Sequence, residues 1–183
     1  MKRSSRDLLG WILAIAIAIV CSWLLKAHVF YVANVPTSSM EPTIEAGSNI
    51  FILKAYNKDN IKRGDILSFY SKELDDNLLK RVIALPGDKL KIIRGVLYVN
   101  SHPVDEKYVN YEYISHFGED EIKIPEGKLF FLGDNRPNSF DSRYWEDPFV
   151  DIDAIIGKAM FIYLPRYKNI YNYDHIRFKG VSM

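Results

Sequence analysis

Residues 78–100 read LLKRVIALPGDKLKIIRGVLYVN. Three short runs rich in Leu, Val and Ile, at 78–85, 89–93 and 96–100, are separated by the turn sequences Pro86-Gly87-Asp88 and Arg94-Gly95. Short apolar or alternating runs broken by such signals read as strands, and a two-residue break ending in Gly reads as a tight hairpin. Similar runs lie outward on both sides, at 49–55, 65–70, 128–132 and 155–164, and Gly133-Asp134-Asn135 is a further turn signature. No long apolar period of the helical kind occurs after residue 25. The pattern predicts an all-β domain of antiparallel sheets with Greek-key or barrel-like closure. The residues after Pro165 are aromatic and polar and assign themselves to no element.

The chain has 183 residues, 48% of them hydrophobic and 26% charged. These are averages for a folded protein and exclude general disorder. With 24 Lys and Arg against 23 Asp and Glu, the net charge is +1. There is no broad basic field, so no nucleic-acid partner is expected. Cys21 is the single cysteine, which excludes an intrachain disulfide and a cysteine-cluster zinc site. Four scattered histidines leave little material for a metal centre, and neither metal nor cofactor is expected.

The averages conceal one segment. Residues 8–25, LLGWILAIAIAIVCSWLL, run for 18 positions without a charge. As a helix that length spans about 27 Å, close to the roughly 30 Å hydrocarbon core of a bilayer. A cleaved export signal has a shorter apolar core and ends in a small-x-small site. Here the segment runs into Lys26-Ala27-His28-Val29, without such a site. A retained single anchor in the lipid bilayer is the expectation. Lys2, Arg3 and Arg6 precede it against Asp7 alone, so residues 1–7 are expected in the cytoplasm and residues 26–183 on the outer face.

Three segments hold side chains suited to chemistry. Ser38-Ser39-Met40-Glu41-Pro42-Thr43 follows an apolar run at 29–35. Lys80 sits in a strand-like run whose alternation puts it on the face of Leu78 and Val82, with Arg81, Leu79 and Ile83 on the other. A lysine on an apolar face either snorkels to water or is desolvated, and desolvation lowers its pKa. At a reference near 10.4, only about 0.4% of a lysine is neutral at pH ~8. A depression of ~2–3 units makes it a usable base at a cost of about 3–4 kcal/mol. The third segment, 133–145, reads GDNRPNSFDSRYW and follows the apolar run 129–132. Of the histidines, His28 lies at the expected membrane edge, and His102, His116 and His175 lie in polar, loop-like stretches. None adjoins a candidate nucleophile in sequence.

The anchor and the boxes SM-x-P-T (39–43), KR-x-x-x-LPGD (80–88) and GDNR-x-N-S-x-DSR (133–143), in this order, resemble type I signal peptidase, the bacterial membrane-bound leader peptidase, in its compact single-anchor form. The resemblance covers nearly the whole chain. It implies a serine endopeptidase that removes signal peptides from exported preproteins, cutting after a small-x-small site. Ser39 matches the nucleophile and Lys80 the general base. Ser139 matches the serine that orients the lysine, Asp141 and Arg143 a supporting ion pair, and Asp134 a structural carboxylate. Thr37 takes the place of an oxyanion-hole hydroxyl and is familiar there as serine. Ser38 stands where glycine is frequent, and Pro137 where a polar residue is frequent. By the same resemblance the substrate adds as a strand between residues 33–37 and 77–80, and Val35, Met40 and Leu79 wall its shallow pockets.

Two other readings stay open on the residues alone. One is a membrane-tethered, non-catalytic β domain. The other is a specialised peptidase of the same superfamily with a narrow substrate.

Overall fold

The structure, a computed structural model, describes residues 5–109, 120–164, 168–169 and 177–178. His116, His175 and most of the tail after Pro165 lie outside the described residues.

Helix α1 runs Ser5–His28, three residues beyond the apolar segment at either end. Its Asp7–His28 portion is long and apolar enough to cross a membrane, and none of it is buried against the domain. Lys26 and His28 in the last turn suit the negative end of the helix dipole. The helix passes almost directly into strand β1 (Phe30–Val35). Lys54 fixes the junction: its Nζ donates to Ala27 O at 3.1 Å, and its amide donates to Val29 O at 2.8 Å.

The remaining strands are β2 (Ser48–Leu53), β3 (Ile66–Ser71), β4 (Asp76–Ala84), β5 (Lys89–Ile93), β6 (Val96–Val99), β7 (His102–Asp105), β8 (Ile122–Lys123), β9 (Lys128–Leu132), β10 (Val150–Asp151), β11 (Ile155–Leu164), β12 (Lys168–Asn169) and β13 (Arg177–Phe178). All described pairings are antiparallel. One sheet has the order β1-β2-β11-β3-β4-β9-β10 with β12 on β11, and a second has the order β13-β7-β6-β5-β8. The mostly antiparallel β architecture behind one N-terminal apolar helix is the expected fold class.

The turns form where their residues demand. Arg94 and Gly95 both take positive φ, 49° and 80°, in the two-residue turn of the β5–β6 hairpin, where Ile93 faces Val96. The run 96–100 ends one residue early. Asn100 and Ser101 take φ of 52° and 68° and turn the chain into β7, and Asn is among the residues that tolerate that conformation. The run 49–55 stops at Leu53 because Lys54 and Ala55 turn to bond Val29 O.

Packing explains why some strands read as continuous rather than alternating apolar runs. In β9, Leu129 and Phe131 join a core with Leu67, Phe69, Val82 and Trp145, whereas Phe130 and Leu132 join another with Ile83, Leu90, Ile92 and Leu97. Strands β4 and β9 are therefore covered on both faces. Any polar side chain on β4 beyond its first few residues is buried whichever way it points. A third core, with Val35, Met40, Ile44, Ile50 and Ile52, fills the space behind the segment that follows β1.

Candidate active site

The segment 36–44 leaves β1 at Pro36 and turns sharply. Met40 and Ile44, both fully buried, anchor it to the core, and the amide of Ile44 donates to Met40 O at 2.9 Å. Ser39 is held between these anchors and is 8% exposed. Lys80, in the middle of β4, is 5% exposed. Its Nζ lies 2.6 Å from Ser39 Oγ, across 41 positions of sequence. Thr37 Oγ1 lies 3.3 Å from the same oxygen. Burial lowers the Lys80 pKa from 10.5 to about 8; Asp141 and Asp134 pull in the opposite direction, and Arg143 adds to the fall.

Arg81, the next residue, points to the other face of β4. Its Nε donates to Asp134 Oδ1 at 2.8 Å and its Nη2 to Asp134 Oδ2 at 2.5 Å. Thr43 Oγ1 donates to Asp134 Oδ2 at 2.5 Å, and Arg81 Nη1 donates to Gly64 O at 2.8 Å. The guanidinium stacks 3.9 Å from the Tyr108 ring. Asp134 thus joins the Ser39 segment, through Thr43, to the lysine strand, through Arg81. Breaking a buried pair of this kind by removing one partner typically destabilises by about 3–5 kcal/mol.

The 133–143 turn is laced by its own side chains. Asp141 Oδ2 accepts from the Gly133 amide at 2.9 Å, and Arg143 donates to Asp141 through Nε at 2.7 Å and Nη2 at 2.8 Å. Ser142 pairs with Phe131 through both backbone and side chain. Asn135 reaches the Ser39 segment: its amide donates to Ser39 O at 3.1 Å and its Nδ2 to Ser38 O at 3.0 Å. Gly133 packs so close that a Cβ there would collide with Ser139 Oγ and the Ser39 carbonyl. Ser139 is buried, and its Oγ makes no hydrogen bond among the described residues. The expected contact between Ser139 and Lys80 is therefore not formed in this conformation, in which the amine is directed at Ser39.

A cavity of about 330 Å³ opens at Ser39 and Lys80 and runs between β1 and the first half of β4. Val35, Thr37 and Leu79 line it, along with Tyr31, Ala33 and Ile50. Met40 corrects the expectation of a pocket wall: it is fully buried in the core with Ile44 and Ile50, because the turn after Ser39 drives it inward. The expected flanking strand 33–37 is also shifted: β1 starts earlier, at Phe30, and ends at Val35, before Pro36 and Thr37. Strand β1 stands at the end of its sheet, and β9 pairs β4 only from Arg81 onward. Among the described residues, β1 and the first half of β4, which wall the cavity, each have one unpaired backbone edge.

Neither His28 nor His102 lines the cavity. Among the described residues, no three His, Cys, Asp or Glu side chains converge as a metal site. Sequence reasoning gave no role to Arg81, Asn135, Arg136 or Glu106. The first three stand inside the boxes already quoted, whereas Glu106 lies in none of them and carried no signal.

The chain is similar to known proteins in three comparisons. Residues 8–164 match the family described as "Signal peptidase, peptidase S26". The chain is 32% identical over 188 residues to signal peptidase IB of Staphylococcus aureus (strain MRSA252), covering 92% of this chain and 96% of that one. It is 34% identical over 170 residues to signal peptidase I of Bacillus licheniformis, covering 87% and 90%. A crystal structure of a signal peptidase I from Enterococcus faecalis V583 aligns with 31% identity and a TM-score of 0.46, over 54% of this chain and 96% of that one. With its family profile matched from the apolar helix through β11, and relatives of this identity aligned over most of their length, the chain belongs to the signal peptidase family, peptidase S26.

Proposed function

We propose that this chain is a membrane-anchored serine endopeptidase that removes signal peptides from exported preproteins through a Ser39/Lys80 dyad. Residues 1–7 lie in the cytoplasm, 8–25 form the core of the anchor, and 26–183 form the extracytoplasmic peptidase domain. The observation that carries the reading is the 2.6 Å separation of Lys80 Nζ and Ser39 Oγ at a buried site that opens into a cleft. A lysine with its pKa near 8 is partly neutral at physiological pH, so its amine can accept a hydroxyl proton.

In the first step the neutral Lys80 takes the Ser39 proton as Oγ attacks the carbonyl of the −1 residue. The oxyanion forms beside the Ser39 amide and Thr37 Oγ1. The lysine gives its proton to the leaving amine, which departs with the mature chain. Water, losing a proton to the same lysine, then cleaves the acyl-serine and releases the signal peptide. Asp134 with Arg81, and Asp141 with Arg143, hold the two segments that carry the reacting groups.

The free edges of β1 and β4 suit an extended substrate added as a strand between them. Val35 and Leu79 stand where alternate inward side chains of that strand meet the walls, so small residues fit best. The membrane supplies the other constraint. Between Val29 and Val35 the chain climbs only about 20 Å at ~3.3 Å per residue. Ser39 therefore stays close to the surface where the end of a signal peptide's apolar core emerges.

The test is cleavage, in detergent, of a preprotein bearing an Ala-x-Ala site. Wild-type protein should cut after the −1 residue, while Ser39→Ala and Lys80→Ala should fold and be inactive. Cleavage surviving in either variant refutes the dyad. Protease protection of the domain in sealed right-side-out vesicles would refute the orientation.

A further inference from the structure

Glu106 lies just past β7, next to the second sheet, and is 2% exposed. It takes part in none of the proton transfers above. Its carboxylate grips Arg136 as a fork, Oε2 accepting from Nη1 at 3.0 Å and Oε1 from Nη2 at 2.5 Å. The Tyr108 hydroxyl also donates to Oε1, at 2.9 Å. Arg136 is 6% exposed, and among the described residues its other hydrogen bonds are within the 133–143 turn: Nε donates to Gly133 O at 3.0 Å, and its carbonyl accepts from Arg143 Nη2 at 2.8 Å.

The consequence lies one residue away. Asn135, between Asp134 and Arg136, makes both hydrogen bonds to the carbonyls of Ser38 and Ser39. Its two neighbours are each tied by a buried two-point ion pair, Asp134 to Arg81 on β4 and Arg136 to Glu106 by the second sheet. A two-point pair fixes orientation as well as distance. With both ties in place the Asn135 backbone has little freedom to shift or rotate. With only one, the turn can pivot about the other.

We infer that Glu106 is a positioning residue for the cleavage reaction: by holding Arg136 it fixes Asn135, and through Asn135 it fixes the carbonyl side of the nucleophile. This rests on the reading of Ser39 as nucleophile. The competing role for Glu106 is charge compensation alone, since an unpaired buried guanidinium is strongly destabilising. The two roles separate when both charges are removed. Glu106→Gln with Arg136→Gln removes both charges of this pair at once, yet lacks the ionic fork.

The experiment measures kcat and KM on an Ala-x-Ala peptide, per folded molecule, with thermal unfolding in parallel. Glu106→Gln should lower kcat about ten- to a hundredfold with KM within about twofold, the penalty expected for small misplacement of a reacting group. The double variant should regain stability but not kcat. Tyr108→Phe, which removes one hydroxyl and keeps both charges, should fold normally and lose about two- to fivefold in kcat. Should the single variant fail to fold, the other two decide. Wild-type kcat in the double variant or in Tyr108→Phe, or a loss confined to KM, overturns the inference. Dependence on Ser39 together with that result sinks the inference alone, whereas cleavage surviving in Ser39→Ala sinks the dyad and this inference with it.

Discussion

The amide of Asn135 donates to the carbonyl of Ser39 at 3.1 Å, joining the turn after β9 to the residue whose hydroxyl faces Lys80. The two segments lie far apart in sequence, and this bond together with the Asn135 Nδ2 contact to Ser38 holds them in register. The main-chain conformation of Ser39 is thereby set from outside its own segment. In the proposed mechanism the Ser39 amide also meets the oxyanion, and that role needs a fixed main chain.

Asn135→Ala removes the side-chain bond to Ser38 O and leaves the backbone bond. A neutral hydrogen bond contributes about 1 kcal/mol net, so the melting temperature should fall by only a few degrees. The rate should suffer more than the stability, with kcat down about tenfold and KM nearly unchanged. Steady-state kinetics on a short peptide checks this, and an unchanged kcat would remove Asn135 from the site.

The Lys80 ammonium is less stable folded than unfolded, since burial lowers its pKa from 10.5 to about 8. The sign follows from proton counts. Between pH 8 and 10.5 the unfolded chain holds more protons at this group, so this contribution to stability rises with pH across that window. Below it the buried charge costs about 3 kcal/mol at ~1.36 kcal/mol per pKa unit. Lys80→Met should therefore be inactive yet more stable than wild type at pH 7 by about 1–3 kcal/mol, and the gain should shrink toward pH 10. Urea unfolding at several pH values measures it. Activity of the wild type should rise with pH through an apparent midpoint near 8.

Gly133→Ala places a methyl group against Ser139 Oγ and the Ser39 carbonyl. Neither can retreat easily, because both segments are buried and hydrogen bonded. Overpacking of this kind costs about 1–3 kcal/mol. The variant should fold with reduced stability and lose most of its activity, because Ser39 is displaced relative to Lys80. A melting curve and a peptide assay together test it; near-normal cleavage would show that the turn can move without harm.

Ser139 gives the opposite balance. Its buried hydroxyl has no hydrogen-bond partner among the described residues, so removing it relieves an unsatisfied group. Ser139→Ala should be as stable as wild type or slightly more so. If the hydroxyl steers the lysine during turnover, kcat should still drop, by about tenfold or more. Loss of rate without loss of stability supports that role, and full activity would assign the lysine's orientation to Ser39 and the surrounding carboxylates alone.

Local chemistry wrote much of this protein into its sequence. The uncharged run at 8–25 becomes a helix because no proline or charge interrupts it, and the Arg94-Gly95 pair becomes a turn because Gly95 takes a positive φ at no steric cost. The β class follows from short apolar runs between such turns, and the ordered boxes bring Ser39, Lys80 and the 133–143 turn to notice. Alternation also set Lys80 and Arg81 on opposite faces of one strand. What alternation left open is that both would be buried, since that depends on β4 being covered on each side. Met40 could have walled a pocket or filled a core, and only the direction of the turn after Ser39 decided. Glu106 was invisible, because an acid beside a turn becomes a partner for Arg136 only when two distant segments of chain are packed together. Periodicity and turn chemistry act over a few residues and are legible in one dimension. The Arg81–Asp134 and Arg136–Glu106 pairs, the desolvation of Lys80 and its 2.6 Å approach to Ser39 arise between segments dozens of residues apart, and tertiary packing alone sets them.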